Sequence, residues 1–113
     1  MKKGHRVPEA LQILGLARRA GAVASGTDAT RRSIRQGDAR LVLMAEDASP
    51  AQLDKIKRTM RHRMVPQVFL GDRATLGAAI GRAPIAAVAV TDASLAGRLL
   101  ESVDGEILVE GRG

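Results

Sequence analysis

Leu41 to Ala45 is an unbroken apolar run of strand length, the pattern of a strand buried on both faces. Gln67 to Leu70 and Ile85 to Val90 are two further core-strand segments, and Ala22 to Ser25 is a shorter strand candidate. Between them, apolar residues recur at helical spacing. Pro8 suits the first turn of a helix, with Ala10, Leu14 and Ala17 as its stripe and Leu11 beside it. Gly21 ends that helix after Arg18 and Arg19. A second helix is expected over Asp28 to Gln36, with Thr27 or Asp28 as cap and Gly37 closing it. Thr30, Ser33 and Ile34 share its inner face, and Asp28, Arg31, Arg32 and Arg35 lie on its exposed side.

Ser49-Pro50 is a strong helix start. Leu53, Ile56, Met60 and Met64 then form an apolar face, with Lys55, Lys57, Arg58, Arg61 and Arg63 around it, until Pro66 stops the helix. A short helix carries Leu76, Ala79 and Ile80 and ends at Gly81. Arg82-Ala83-Pro84 is a loop, and Ser94 to Ser102 is a last helix with Leu95, Leu99 and Leu100. Strands alternate with helices throughout, so helices should cover both faces of the sheet.

At 113 residues and 45% hydrophobic content, the chain is sized for one folded domain. We place that domain at residues 9–102, after a basic N-terminal tail (1–8) and before a C-terminal tail (103–113). The second tail holds a strand-like Glu106 to Val109 and turns acidic at Asp104, Glu106 and Glu110, following Glu101. The formal net charge of +6 favours a polyanionic partner, nucleic acid before an anionic membrane surface. No segment reads as a membrane span or a secretory signal, so a cytoplasmic location is expected. With no cysteine, a disulfide framework and a thiolate zinc site are both excluded. Phe69 is the only aromatic residue. Folds that stack single-stranded bases on aromatic platforms need several rings, so any RNA would be read by arginines, backbone and shape.

The candidate chemistry lies in Gly26 to Arg35. Gly26 lets the chain turn, and a helix N-terminus with free backbone N–H groups is followed at once by three arginines, a good place to hold a phosphate. The alternative is a solvated basic helix face. A competing site comes from acids at strand ends, Glu46-Asp47, Asp72 and Asp92, which could hold Mg²⁺ for phosphoryl transfer. Against it, Asp47 and Ser49, Asp72, and Asp92 and Ser94 each stand just before a helix, where caps are needed. Mixed strand directions would also scatter the acids. His5 and His62 have no partner at motif spacing, and no phosphate-loop motif occurs. No catalytic residue, metal or cofactor is expected.

The order of motifs resembles one family. Gly26-Thr27-Asp28-Ala29-Thr30-Arg31-Arg32, then Gly37, then Arg40 to Asp47, is similar to the L-seven-Ae family of ribosomal and kink-turn RNA-binding proteins. The likeness continues through Val65-Pro66, Gly71-Asp72 and Leu76-Gly77 to the Ala87–Val90 strand, covering roughly residues 9–102. Leu14 to Gly21 resembles the small bacterial branch. The resemblance implies an α/β fold, a three-layer α-β-α sandwich around a mixed four-stranded sheet. It also implies binding to kinked, internally looped RNA. By position, Gly26, Thr27, Asp28, Ala29 and Arg32 would face the RNA at sheared G·A pairs, and Arg31 and Arg35 would reach phosphates. The loop of Arg82, Ala83, Pro84 and Ile85 would pack on an extruded base. Members from archaea and eukaryotes usually carry Asn-Glu where this chain has Asp28-Ala29, and Ala29 has no hydrogen-bonding side chain.

The expected function is therefore recognition of structured RNA, kink-turn-like or ribosomal, by a non-enzymatic monomer that binds neither DNA nor membrane. The alternatives are a protein-interaction module of a ribosome-associated complex and a metal-dependent phosphoryl-transfer enzyme.

Overall fold

The computed structural model describes residues 7–103 and 108–109. The basic residues 1–6 and most of the acidic tail lie outside the described residues. Five helices, α1 (Val7–Arg19), α2 (Thr27–Arg35), α3 (Pro50–Met60), α4 (Arg73–Ala79) and α5 (Ala93–Ser102), alternate with strands. The strands are β1 (Val23–Ser25), β2 (Leu41–Met44), β3 (Pro66–Phe69), β4 (Ala87–Val90) and β5 (Leu108–Val109). The expected four-stranded mixed sheet is present in the order β1-β4-β2-β3, and β5 extends it at the β3 edge. β2 runs parallel to β3, and β4 runs antiparallel to both β1 and β2. The strand-like tail segment thus finds its place by pairing Leu108 with Gln67 and Val109 with Pro66.

Alternation along the central strands sorts the core into two layers. Leu41, Leu43, Val68, Val88 and Val90 face α1, α4 and α5, where they meet Ile13, Leu14, Leu76 and Leu99. Val42, Met44, Ala87 and Ala89 face α2 and α3, where they meet Ile34, Ile56 and Met60. Both faces of β2 and β4 are therefore fully buried, and continuous apolar runs are the sequence pattern this requires. The residues that β4 turns towards α2 are alanines, and α2 answers with the small buried residues Thr30 and Ser33. Small residues on both sides let α2 sit close to the sheet, with Ile34 as its one large apolar anchor.

Local chemistry sets the helix starts. Ser49 caps α3 in a capping box with Gln52, and Pro50 occupies the first helical turn. Asp72 caps α4 through the Thr75 N–H at 2.8 Å, and Asp92 caps α5 through the Leu95 N–H at 2.9 Å. Several expectations are corrected. α2 is capped by neither Thr27 nor Asp28: its N-cap is Gly26, and both residues belong to the first turn. Met64 is not a core residue. α3 ends at Met60 and His62 adopts a left-handed φ of 67°, so the chain leaves the helical path and Met64 is 65% exposed. Asp47 does not cap the helix that follows it; it accepts from the Arg73 N–H at 2.8 Å, at the start of α4. Ser94 lies inside α5 and is not its cap.

Candidate nucleic-acid interface

Gly26 is the pivot of the site. Its N–H donates to Ala87 O at 2.8 Å, which ties the turn to β4, and its carbonyl accepts the first helical bond of α2 from Thr30 at 2.9 Å. Its φ of 95° and ψ of 165° lie in a region essentially reserved for glycine. With no side-chain cap, the N–H groups of Thr27, Asp28 and Ala29 have no partner among the described residues. Three donors and the positive end of the helix dipole thus point out of the tip of α2.

The opposite wall is the loop that joins α4 to β4. It is held from below by α4: the Arg82 N–H donates to Gly77 O at 2.8 Å. An added Cβ on Gly77 would lie 2.3 Å from Ala83 O, so the loop backbone packs directly on that glycine. The Ile85 N–H donates to Arg73 O at 3.1 Å and closes the loop against the start of α4.

These two pieces meet. Gly26, Thr27 and Asp28 line one groove of about 420 Å³ with Pro84, Ile85 and Ala86. Lys55 and Gln52 of α3 and Arg73 of α4 complete it. Arg73 forms an ion pair with Asp47 at 3.4 Å. On its other side the same loop, from Arg82 to Ile85, borders a second groove together with Arg18, Val23 and Ser25. The Arg18 guanidinium lies against Gly81. A helix tip with three N–H donors unpartnered among the described residues, an exposed loop carrying Ala83 and Pro84, and flanking cations are therefore adjacent.

Not all the expected residues converge. Ala29 is half-buried in the first turn of α2, and Arg32 stands exposed one turn further on. Arg31 and Arg35 turn instead towards α3, where they line a separate groove. Arg31 is not on the exposed side: it is half-buried, and its Nε donates to Thr59 Oγ1 at 2.9 Å. Arg18, Gln52, Lys55 and Arg73 are cations and polar groups that sequence reasoning missed. They come from other elements: the tertiary arrangement brings Gln52, Lys55 and Arg73 to the tip of α2, and Arg18 to the far side of the Arg82–Ile85 loop. For Lys55 there was one signal, its place on the basic surface of α3.

The strand-end acids do not assemble. β2 and β3 are parallel, which leaves Asp47 and Asp72 at one end of the sheet, where both bond backbone N–H groups at the start of α4. β4 runs the other way and carries Asp92 to the opposite end. No group of three or more potential metal-ligating side chains occurs among the described residues. None of their helices is long and apolar enough to cross a membrane.

Comparison with known proteins identifies the fold and the family. Residues 9–99 match the model of the ribosomal protein L7Ae/L30e/S12e/Gadd45 family. The chain is 40% identical over 92 residues to the RNA-binding protein YlxQ of Bacillus subtilis, covering 81% of this chain and 92% of that one. It is 37% identical over 73 residues to the large ribosomal subunit protein eL8 of Picrophilus torridus, covering 64% of this chain and 58% of the relative. Among solved structures, a Bacillus halodurans protein of unknown function superimposes with a TM-score of 0.71 at 29% identity, covering 82% of this chain and 94% of its own. The Giardia lamblia 15.5kD RNA binding protein has the same fold, with a TM-score of 0.67 at 20% identity over 91% of this chain and 94% of its own. The chain belongs to the L7Ae/L30e/S12e/Gadd45 family.

Proposed function

We propose that this family member binds structured RNA, kink-turn-like or ribosomal, without catalysing a reaction. The observation that carries the reading is the shared groove between the tip of α2 and the Pro84–Ile85 loop. An RNA that kinks sharply presents a phosphate or base edge to the helix tip and an unstacked base to the loop at the same time. In this reading Gly26, Thr27, Asp28 and Ala29 face the RNA through backbone N–H groups, and Arg32 addresses base edges. Arg82, Ala83, Pro84 and Ile85 support the extruded base, while Arg31 and Arg35 serve the phosphates from the α3 side. The relative named as an RNA-binding protein supports the reading, and so does the net charge of +6. A monomer acting in the cytoplasm fits a chain of this size and charge.

Asp28-Ala29 makes the helix tip a weaker reader than the Asn-Glu pair. An ionised Asp28 accepts but does not donate, and Ala29 adds nothing. Much of the attraction then comes from sequence-independent cations, so binding should fall steeply with salt. The test is a titration of the purified chain against a kink-turn RNA and a matched RNA with the G·A pairs replaced, at two salt concentrations. Salt-dependent binding with a measurable preference for the kink-turn supports the proposal. Absence of binding to either RNA contradicts it and would favour the protein-interaction module.

A further inference from the structure

The groove that takes Arg31 and Arg35 is itself unusual. It is about 510 Å³ and lies between α2 and α3, where Lys55, Arg58, Arg61 and Arg63 join those two arginines. The remaining lining residue is Thr59. The acids of the two helices, Asp28 and Asp54, do not line it, and none of its six cations is ion-paired with a described residue.

Two of the cations are anchored by hydrogen bonds between the helices. Arg31 Nε donates to Thr59 Oγ1, whose own hydroxyl donates to Lys55 O at 2.9 Å. Arg63 Nη2 donates to Arg35 O at 3.2 Å, so the turn after α3 is pinned to the last turn of α2. Six like charges gathered in one groove repel one another. Among the described residues, a neutral hydroxyl and a carbonyl, and no carboxylate, anchor Arg31 and Arg63. Such an arrangement favours a multivalent anion that supplies the missing negative charge.

Lys55 indicates which anion. It lines both this groove and the one at the tip of α2. The two are therefore neighbours on one surface, and a backbone leaving the helix tip meets Lys55 and then the arginines. We propose that the α2–α3 groove is a second nucleic-acid contact, a track for consecutive phosphates of an RNA segment flanking the one read at the helix tip. The inference rests on the RNA-binding reading above and adds a contact that reads charge and not sequence. Arg58 and Arg61 are exposed and their side chains form none of the organising hydrogen bonds, so they face the phosphates beside Arg35 and Lys55 and can be changed without disturbing the groove.

The experiment compares wild type with the double variant Arg58→Gln, Arg61→Gln. The probes are a kink-turn RNA with both stems intact and its G·A-replaced counterpart, each titrated across a fourfold range of salt. Because both residues are exposed, the melting temperature should not change, and this is measured first. Losing two phosphate contacts should lower the salt slope by about two, so the affinity lost across that range shrinks roughly tenfold. The ratio of affinities for the two RNAs should stay the same, because the helix tip is intact. An unchanged slope in the double variant, with wild type binding normally, overturns the track and leaves the helix-tip reading standing. If wild type binds neither RNA, both fall. A double variant that keeps its RNA slope but loses binding to polyglutamate assigns the groove to an acidic protein partner and also overturns the track.

Discussion

Gly77 on α4 sits directly beneath the carbonyl of Ala83, so close that a Cβ there would lie 2.3 Å from that oxygen. The groove wall opposite the α2 tip is therefore built on the absence of a side chain. Gly77→Ala must push the loop backbone away, at an overpacking cost of about 1–3 kcal/mol. We expect a lower melting temperature and weakened RNA binding. Gly97→Ala in α5 is the control: its Cβ would meet nothing within 4 Å, and Ala is the better helix former by about 1 kcal/mol. It should raise the melting temperature and leave binding alone. Thermal melts of the two variants should move in opposite directions.

Gly26→Ala has a different cost. There is space for the methyl group, but a φ of 95° with ψ of 165° is strained for any L side chain, by about 1–3 kcal/mol. Relaxing that strain rotates the first turn of α2. Gly26→Ala should lose both stability and RNA affinity, and supplying Asn at position 26 should not restore them. Full affinity in a stably folded Gly26→Ala would show that the orientation of the helix tip is unimportant.

Arg31 and Arg32 are adjacent in sequence but differ in surroundings: Arg31 is half-buried and bonded to Thr59, and Arg32 is exposed. Arg31→Ala removes the Nε–Thr59 hydrogen bond between α2 and α3, which should cost about 0.5–1.5 kcal/mol of stability. Arg32→Ala should leave stability within about 0.5 kcal/mol, because its side chain is exposed. It should instead cost about 1–3 kcal/mol in binding a kink-turn RNA and narrow the preference over the G·A-replaced RNA. Chemical denaturation and RNA titration of both variants read the two effects separately. An Arg32→Ala variant with full affinity and selectivity would remove Arg32 from the interface.

Asp72 makes a pH prediction. Hydrogen bonds from the Thr75 side chain and then the Thr75 N–H hold its carboxyl below the ordinary aspartate value. A carboxylate with a depressed folded pKa contributes stability that is fully present above its unfolded pKa and is lost as pH falls through the folded value. Asp72→Asn keeps the cap and loses the titration. The stability of wild type relative to Asp72→Asn should therefore be constant near neutrality and shrink on acidification below the ordinary carboxylate range. A difference independent of pH across that range would contradict the capping geometry.

Much of this architecture is legible in the chain because its signals are local. The double-sided burial of β2 and β4 follows from their apolar runs, and the starts of α3, α4 and α5 follow from Ser49-Pro50, Asp72 and Asp92. Errors arise where a long-range partner overrides a local rule. Asp47 stands before α3 but bonds the start of α4, because parallel pairing of β2 and β3 brings that helix closer. Met64 keeps the helical period, yet the turn at His62 ends the helix before it. Gln67 is wholly buried in a core strand with neither amide atom hydrogen-bonded to a described residue, which no apolar pattern would reveal. For the candidate site, the α2 tip and the Arg82–Ile85 loop stand out in sequence. Their meeting with Lys55 and Arg73 depends on how α3 and α4 pack, and no spacing along the chain encodes it.

The central claim is that RNA binds where the α2 tip meets the Arg82–Ile85 loop. The most direct measurement is a map of backbone amide resonances, recorded on the isotope-labelled chain with and without a kink-turn RNA. The amides of Thr27, Asp28 and Ala29 have no hydrogen-bond partner among the described residues, so a bound phosphate or base edge must perturb them. The account predicts that the largest shifts cluster at Gly26 to Ala29, at Arg32 and across Arg82, Ala83 and Ile85, with smaller ones at Lys55. Shifts centred on the outer faces of α1 and α5, with the Thr27 to Ala29 amides unmoved at saturating RNA, would contradict it.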